Sequence, residues 1–427
     1  MSRMRIPAVL VVVAITLAAC GGASPAATEG TDTGVITVSG AFRDQEAARF
    51  EEAIAAFEQD TGINVIYEGT GEFEVLINTR VQAGDAPDIA AVPQPSLMQK
   101  FAKSGDLVPL SSEVLANIDA NYGPGWKDLG SYDGTTYGVF HRVNAKGFVY
   151  YPKGPFEAAG YTIPTTWDEL TALMDQMVAD GTPPWCIGIE SEAATGWVGT
   201  DWIEEIMLRT AGVENYDKWV NHDLKFEDPI VKSAWETLGG IWLNPDYVYG
   251  GASNILATRF QDGANPMFDD PPKCWLHNQG SFMTGLFPED VQADLANLVG
   301  VFTLPEIDPQ YGTPAMVGGD QFIAFHNRPE VMKFLAYLAT PASGVTWQAA
   351  GGALFPYKNQ DLSLYSTDIE RSFAQIIAEA TQARFDGSDA MPAAVGNGSF
   401  WTGVVDYVSG DNLDDILKAI DDSWPAS

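Results

Sequence analysis

Leu17-Ala18-Ala19-Cys20 carries the clearest covalent chemistry in this sequence. A positive start at Arg3 and Arg5, an apolar stretch from Ala8 to Thr16 and small residues before the cysteine form a secretory signal with a lipidation box. Cys20 is expected to become the acylated first residue once signal peptide 1–19 is removed. The stretch falls short of the ~20 apolar residues that a bilayer-spanning helix needs, so it reads as cleaved. Two further cysteines, Cys186 and Cys274, remain outside the reducing cytosol, and a disulfide between them is expected. Closing a loop of that length stabilises by roughly 4–5 kcal/mol in the chain-entropy model. The two cysteines read as partners of each other and not as ligands, so no metal and no cofactor are expected. His141, His222, His277 and His326 are isolated in sequence and read as structural residues. The sequence contains no phosphate-cradling GxxxxGK[ST] and no Gly-x-Ser-x-Gly elbow.

The composition narrows the class of partner. With 57 acidic and 23 basic residues the 427-residue chain carries −34; losing Arg3 and Arg5 takes the mature form near −36. That field repels phosphate backbones, so no nucleic-acid partner is expected. Residues 20–34 are small and polar and read as a lipidated flexible tether, with a reach on the order of 20 Å.

The elements that must position any site alternate. Val35–Ser39 reads as a strand, and Asp44–Asp60 as a helix whose Phe50, Ile54 and Phe57 recur at helical spacing. Ile63–Tyr67 is a second strand, Val75–Ala83 a helix, Ile89–Val92 a buried strand and Ser96–Lys103 a helix. Beyond residue 150, helices are expected at Trp167–Val178, Asp201–Thr210 and Ile230–Trp242, and strands at Cys186–Ile189, Leu298–Thr303 and Gln321–Phe325. Helices over 330–338, 344–349, 367–380 and 412–423 complete the pattern. Such alternation indicates α/β architecture with ligands at the carboxyl ends of strands.

Four local patterns in order carry a resemblance: Thr61-Gly62-Ile63-Asn64-Val65, Gly84-Asp85-Ala86-Pro87-Asp88-Ile89, Gly105-Asp106-Leu107-Val108-Pro109-Leu110 and Gly351-Gly352-Ala353-Leu354-Phe355-Pro356. The chain resembles the family 1 extracellular solute-binding proteins, carbohydrate-binding lipoproteins of ABC importers. Ala193 to Trp197 with Thr200-Asp201-Trp202, and Cys274 to His277, resemble the α-glucoside-binding branch. The resemblance implies a periplasmic-binding-protein-like fold: two α/β lobes, three hinge crossings and a ligand cleft between them. By that pattern 35–142 plus 302–340 form one lobe, and 146–300 plus 341–427 the other. It implies a monomer that hands a small-molecule carbohydrate to ABC permease subunits. The protein would be held by its lipid anchor at the outer face of the cytoplasmic membrane, on the cell surface or in the periplasm.

A sugar offers hydroxyls that donate and accept, and apolar C–H faces, so its site needs charged or amide groups and flat rings. Twelve Trp, 15 Tyr and 21 Phe supply the rings. Candidate ligand residues on loops after strands are Arg43, Glu72, Phe73 and Gln94. The later chain offers Trp197, Asp201, Trp202, Trp275, Asp320, Phe355 and Trp401. Each has a plain alternative: a surface pair for Arg43, a helix cap for Glu72 or Asp201, core packing for Trp202, disulfide packing for Trp275, a turn for Gln94 or Asp320. Two rival functions share this composition. A secreted glycoside hydrolase would need two carboxylates across a scissile bond, and a receptor for polyamines or other cationic solutes would use aromatic walls with acids.

Overall fold

The computed structural model describes residues 34–123, 125–379 and 383–425. Cys20, its lipidation box and nearly all of the tether lie outside them. Strands β1 (Val35–Gly40), β2 (Asn64–Gly69) and β3 (Ile89–Val92) run parallel, with Val38 opposite Tyr67 on one side and Ile89 on the other. Helix Asp44–Thr61 covers them and buries Phe50, Ile54 and Phe57, as its spacing predicts. It stops where Gly62 takes a left-handed conformation at φ 71°. A short hairpin, β4 (Ser131–Tyr132) with β5 (Thr135–Thr136), leads into β6 (Gly138–Ala145). After Lys146 and Gly147 the chain resumes as β7 (Phe148–Pro152), which lies between β8 (His277–Gln279) and β9 (Val299–Thr303) in a separate antiparallel sheet. The molecule is therefore two α/β lobes, joined in part by the β6–β7 passage.

The first sheet is completed by β10 (Met316–Ala324), antiparallel to both β3 and β6, and by β11 (Arg384–Phe385), parallel to the start of β10. Between Gly319–Val143 and Gln321–Phe140 the register shifts, so two residues of β6, His141 and Arg142, face the single Asp320. Such a bulge re-aims side chains locally. The second lobe is mainly helical. Helices Trp197–Thr210, Pro229–Trp242 and Trp401–Ser409 pack together over a core rich in tryptophan, including Trp185, Trp202, Trp235 and Trp242.

Three expectations need correction. Cys186–Ile189 is not a strand: isolated bridges flank it, at Trp185 with Val248 and Leu276 and at Glu190 with Arg259. Helix Asp201–Thr210 starts earlier, at Trp197, because Gly196 at φ 117° supplies the turn into it. Asp201 is thus inside the helix and caps nothing. Helix Val345–Ala350 packs on helix Asp44–Thr61, with Trp347 edge-on to Phe42 at 5.7 Å, so part of the chain beyond 341 belongs to the first lobe's core. Cys186 and Cys274 are joined as a disulfide, their Cα atoms 5.5 Å apart.

Candidate functional site

A cavity of about 150 Å³ lies where the carboxyl ends of β1 and β3, strands β6 and β10 and the second lobe's helix starts converge. From the first lobe, Glu46, Glu74, Gln94, Arg142, Asn144 and Asp320 line it. From the other side come Lys146, Trp197, Phe260, Phe282, Asp386, Asp389 and Trp401. A larger depression of about 800 Å³ beside Phe148, Val301, Tyr311 and Phe373 has no carboxylate, amine or guanidinium among its described lining residues. The smaller cavity is where the chemistry is concentrated.

β6 and the residue directly after it supply three of the polar groups by simple alternation. Arg142, Asn144 and Lys146 point into the cavity while Val143 and Ala145 enter the core. Arg142 lies over the rings of Phe42, Trp347 and Phe282 at 5.0, 5.6 and 5.7 Å and donates to Glu46 at 2.8 Å. The bulge sets Asp320 3.7 Å from the same guanidinium. Burial pushes Asp320 up to about 6, with Arg142 opposing the rise and Glu46 adding to it. Gln94, 1% exposed, donates to Glu74 at 3.2 Å.

Lys146 occupies the passage between the sheets. Its ammonium donates to Asp201 at 2.7 Å and to Asp386, and lies 5.4 Å from the centroid of the Trp197 ring. Burial alone would lower it, but Asp201, Asp386 and Asp389 hold it well above its ordinary value. Asp386 follows β11 directly; its carboxylate also accepts from the Ser388 hydroxyl and the Asp389 backbone, and it lies below the usual carboxylate range because these partners outweigh its burial. Burial, with the neighbouring Asp386, pushes Asp389 well upward. Trp197 and Trp401 are brought together because Gly196 touches the Trp401 carbonyl, where a Cβ would collide. Trp197 meets Phe260 edge-on at 5.0 Å.

Several cavity atoms have no hydrogen-bond partner among the described residues: Gln94 Oε1, Arg142 Nε, Asn144 Oδ1, Gln261 Oε1 and Trp401 Nε1. Buried polar atoms are rarely left unpaired. Donors and acceptors beside indole rings suit a polyhydroxylated molecule.

Of the residues expected from sequence, Arg43, Gln94, Trp197, Asp320 and Trp401 line this cavity. Arg43 stands at its rim, paired with Glu192. The others lie elsewhere. Glu72 is exposed in the turn before helix Phe73–Ala83, and Glu74, one step into that helix, faces the cavity in its place. Phe73 is fully buried in a core with Ile77 and Met98. Asp201 sits behind Lys146, and Trp202 packs edge-on to Trp185 and Trp242. Trp275 packs on Tyr161, and Phe355 on Tyr357 and His141. Missed were Glu46, Glu74, Arg142, Asn144, Lys146, Asp386 and Asp389. The polar alternation Arg142-Val143-Asn144-Ala145-Lys146 was the available signal for three of them.

Comparison with known proteins agrees with this geometry. The model of the bacterial extracellular solute-binding protein family matches residues 43–345. The osmoprotective compounds-binding protein GgtB of Synechocystis sp. is 42% identical over 418 residues, 97% of this chain and 98% of that protein. The alpha-glucosides-binding periplasmic protein AglE of Rhizobium meliloti is 37% identical, over 91% of this chain and 86% of that one. Among solved structures, the solute receptor AcbH, described with a preference for b-D-galactopyranose, superposes with a TM-score of 0.79 at 21% identity, over 91% of this chain and 97% of the other. A chitin oligosaccharide binding protein does so with 0.77 at 19% identity, over 91% and 98%. The chain belongs to the bacterial extracellular solute-binding protein family, and is a solute-capturing component of an ABC transporter and not an enzyme.

Proposed function

We propose that the protein captures an uncharged mono- or oligosaccharide, an α-glucoside in particular, by closing its lobes and presents it to the membrane permease. The observation that carries this reading is the cavity itself. Trp197 and Trp401 lie beside unpaired polar atoms of Gln94, Arg142 and Asn144, at a convergence of both lobes. A few hydrogen bonds to charged groups, each ~1.5–3 kcal/mol, with one stacked ring reach the roughly −8 kcal/mol of a micromolar site. The relative named for alpha-glucosides supports a glucoside, and the one named for osmoprotective compounds supports a small solute. A cationic solute is disfavoured because Arg142 and Lys146 already stand among the cavity's acids.

In this reading the lobes divide near 142–146 and 300–302, with helix Val345–Ala350 on the first lobe, and the chain acts as a lipid-tethered monomer through Cys20. The test is a thermal-shift panel of α-linked disaccharides, glucosylated polyols, polyamines and amino acids, followed by calorimetry on those that stabilise. A shift with an α-glucoside supports the reading. A shift with spermidine and none with any sugar overturns it.

A further inference from the structure

Three consecutive residues after β1 reach across the cleft. Arg43 pairs with Glu192 of the second lobe, Asp44 accepts from Arg259 at 3.1 Å, and Gln45 accepts from Gln292 at 3.0 Å. The second-lobe side is one piece: Glu190 accepts from the Phe260 backbone and, through its carboxylate, from the Glu192 backbone at 2.9 Å. Arg43, Gly71, Ala194 and Gln261 line the cavity, while the side chains of Glu192, Arg259 and Asp44 are 42, 43 and 73% exposed. The pairs therefore stand between cavity and solvent.

Two independent features mark this rim. Asp44 and Glu192, on opposite lobes, have φ of 51° and 53°, and they are two of four non-glycine residues with positive φ among the described residues. Such backbone is uncommon and persists where surroundings hold it, often at clamps. Gly71 is the second feature. A Cβ there would lie 2.7 Å from Arg43 Nη1 and closer still to the Glu192 carboxylate, although Gly71 itself is outside the left-handed region. The Arg43–Glu192 pair fills the space that any side chain at 71 would occupy.

We propose that Arg43–Glu192 and Asp44–Arg259 form a rim lock that limits ligand length. A saccharide contained within the rim leaves the lock shut and gains from it; a longer chain must pass between Arg43 and Glu192 and break it. Arg43, Glu192 and Gly71 are thus specificity-determining residues. This rests on the carbohydrate reading for its ligand, but the lock itself does not.

The test compares the wild type with Glu192→Gln, which weakens the pair, and Gly71→Ala, which displaces it without altering charge. Calorimetry uses α-linked glucose di-, tri- and tetrasaccharides. Both variants are expected to weaken disaccharide binding and to move the tetrasaccharide-to-disaccharide affinity ratio upward by about 1.5- to fivefold, the scale of an exposed ion pair. In parallel, spin labels on the two lobes report their separation without ligand. Raising salt from about 0.05 to 0.5 M, which shortens screening to a few ångströms, is expected to widen the wild type and to widen Glu192→Gln, which keeps only the Asp44–Arg259 pair, by less. An unchanged length preference in both variants overturns the length limit alone. Failure of the wild type to bind any glycan overturns it together with the carbohydrate reading. A wild-type separation indifferent to salt overturns the lock.

Discussion

On the side of the cleft that carries Lys146, the buried acids Asp386 and Glu204 are satisfied by the protein itself, while Asp201 and Glu205 behind them each keep one unpaired oxygen. Asp386 accepts from Lys146, the Ser388 hydroxyl and the Asp389 backbone, and Glu204 behind it accepts from Tyr216, Gly387 and Ser388. On the side that carries Asp320 the groups are less committed. The nearest cation to Asp320 is 3.7 Å away, and Gln94 and Arg142 each keep an unpaired polar atom. The first region is framework, whose charges set the position of the walls. The second is contact surface, whose polar capacity is held for something that enters. Removing a framework charge should therefore cost stability, whereas removing a contact charge should cost affinity.

The largest effect that could break this distinction is in the framework. Lys146→Met leaves Asp386 and Asp201 buried without their cation and is expected to lower unfolding free energy by about 3–5 kcal/mol, read by urea denaturation. A loss below ~1 kcal/mol would make the two sides alike. Next comes Asp320→Asn on the contact side. Saccharide affinity should fall by roughly 10- to 150-fold, the loss of one charge-assisted hydrogen bond.

The same variant sharpens the comparison through pH. Burial raises Asp320 in the folded protein to about 6 from an ordinary 3.8, so the folded state holds this proton more tightly than the unfolded one. Its stabilising contribution is full below pH 3.8 and is lost as pH rises through 6, by roughly 3 kcal/mol at most. Melting of Asp320→Asn between pH 4 and 7 should lack that decline. The smallest contrast is local. Glu72→Ala, exposed in its turn, should leave stability within about 0.5 kcal/mol and affinity untouched. Glu74→Gln, two residues on and facing the cavity, should weaken binding about threefold or more.

The sequence made the first three strands and their helices legible because each is a short periodic run bounded by glycine or proline. Ile89–Val92 matches the observed strand at both ends, and Phe50, Ile54 and Phe57 form the buried stripe of their helix. Trp197 was readable as a cavity-lining residue because glycines at 196 and 199 flank it. Trp275 and Phe355 misled because an aromatic on a loop also serves a core, and only packing on Tyr161 or His141 tells the uses apart. Asp386 and Asp389 were not readable. Their importance depends on β11, a two-residue strand bonded to a partner far earlier in the sequence, which delivers them to Lys146. Asp320 acquires its setting from a register shift, which no local pattern announces.

β10 is hydrogen bonded along both edges, to β6 on one side and to β3 and β11 on the other. Many of the cavity's side chains stand outside it, in turns and helix starts at 43–46, 71–74 and 386–389. A lineage descended from this chain can change its cargo by rewriting those short stretches, while the beam that spaces the walls is inherited intact. Diversification is cheap here because much of what is read, Asp320 apart, lies outside the strand that bears weight.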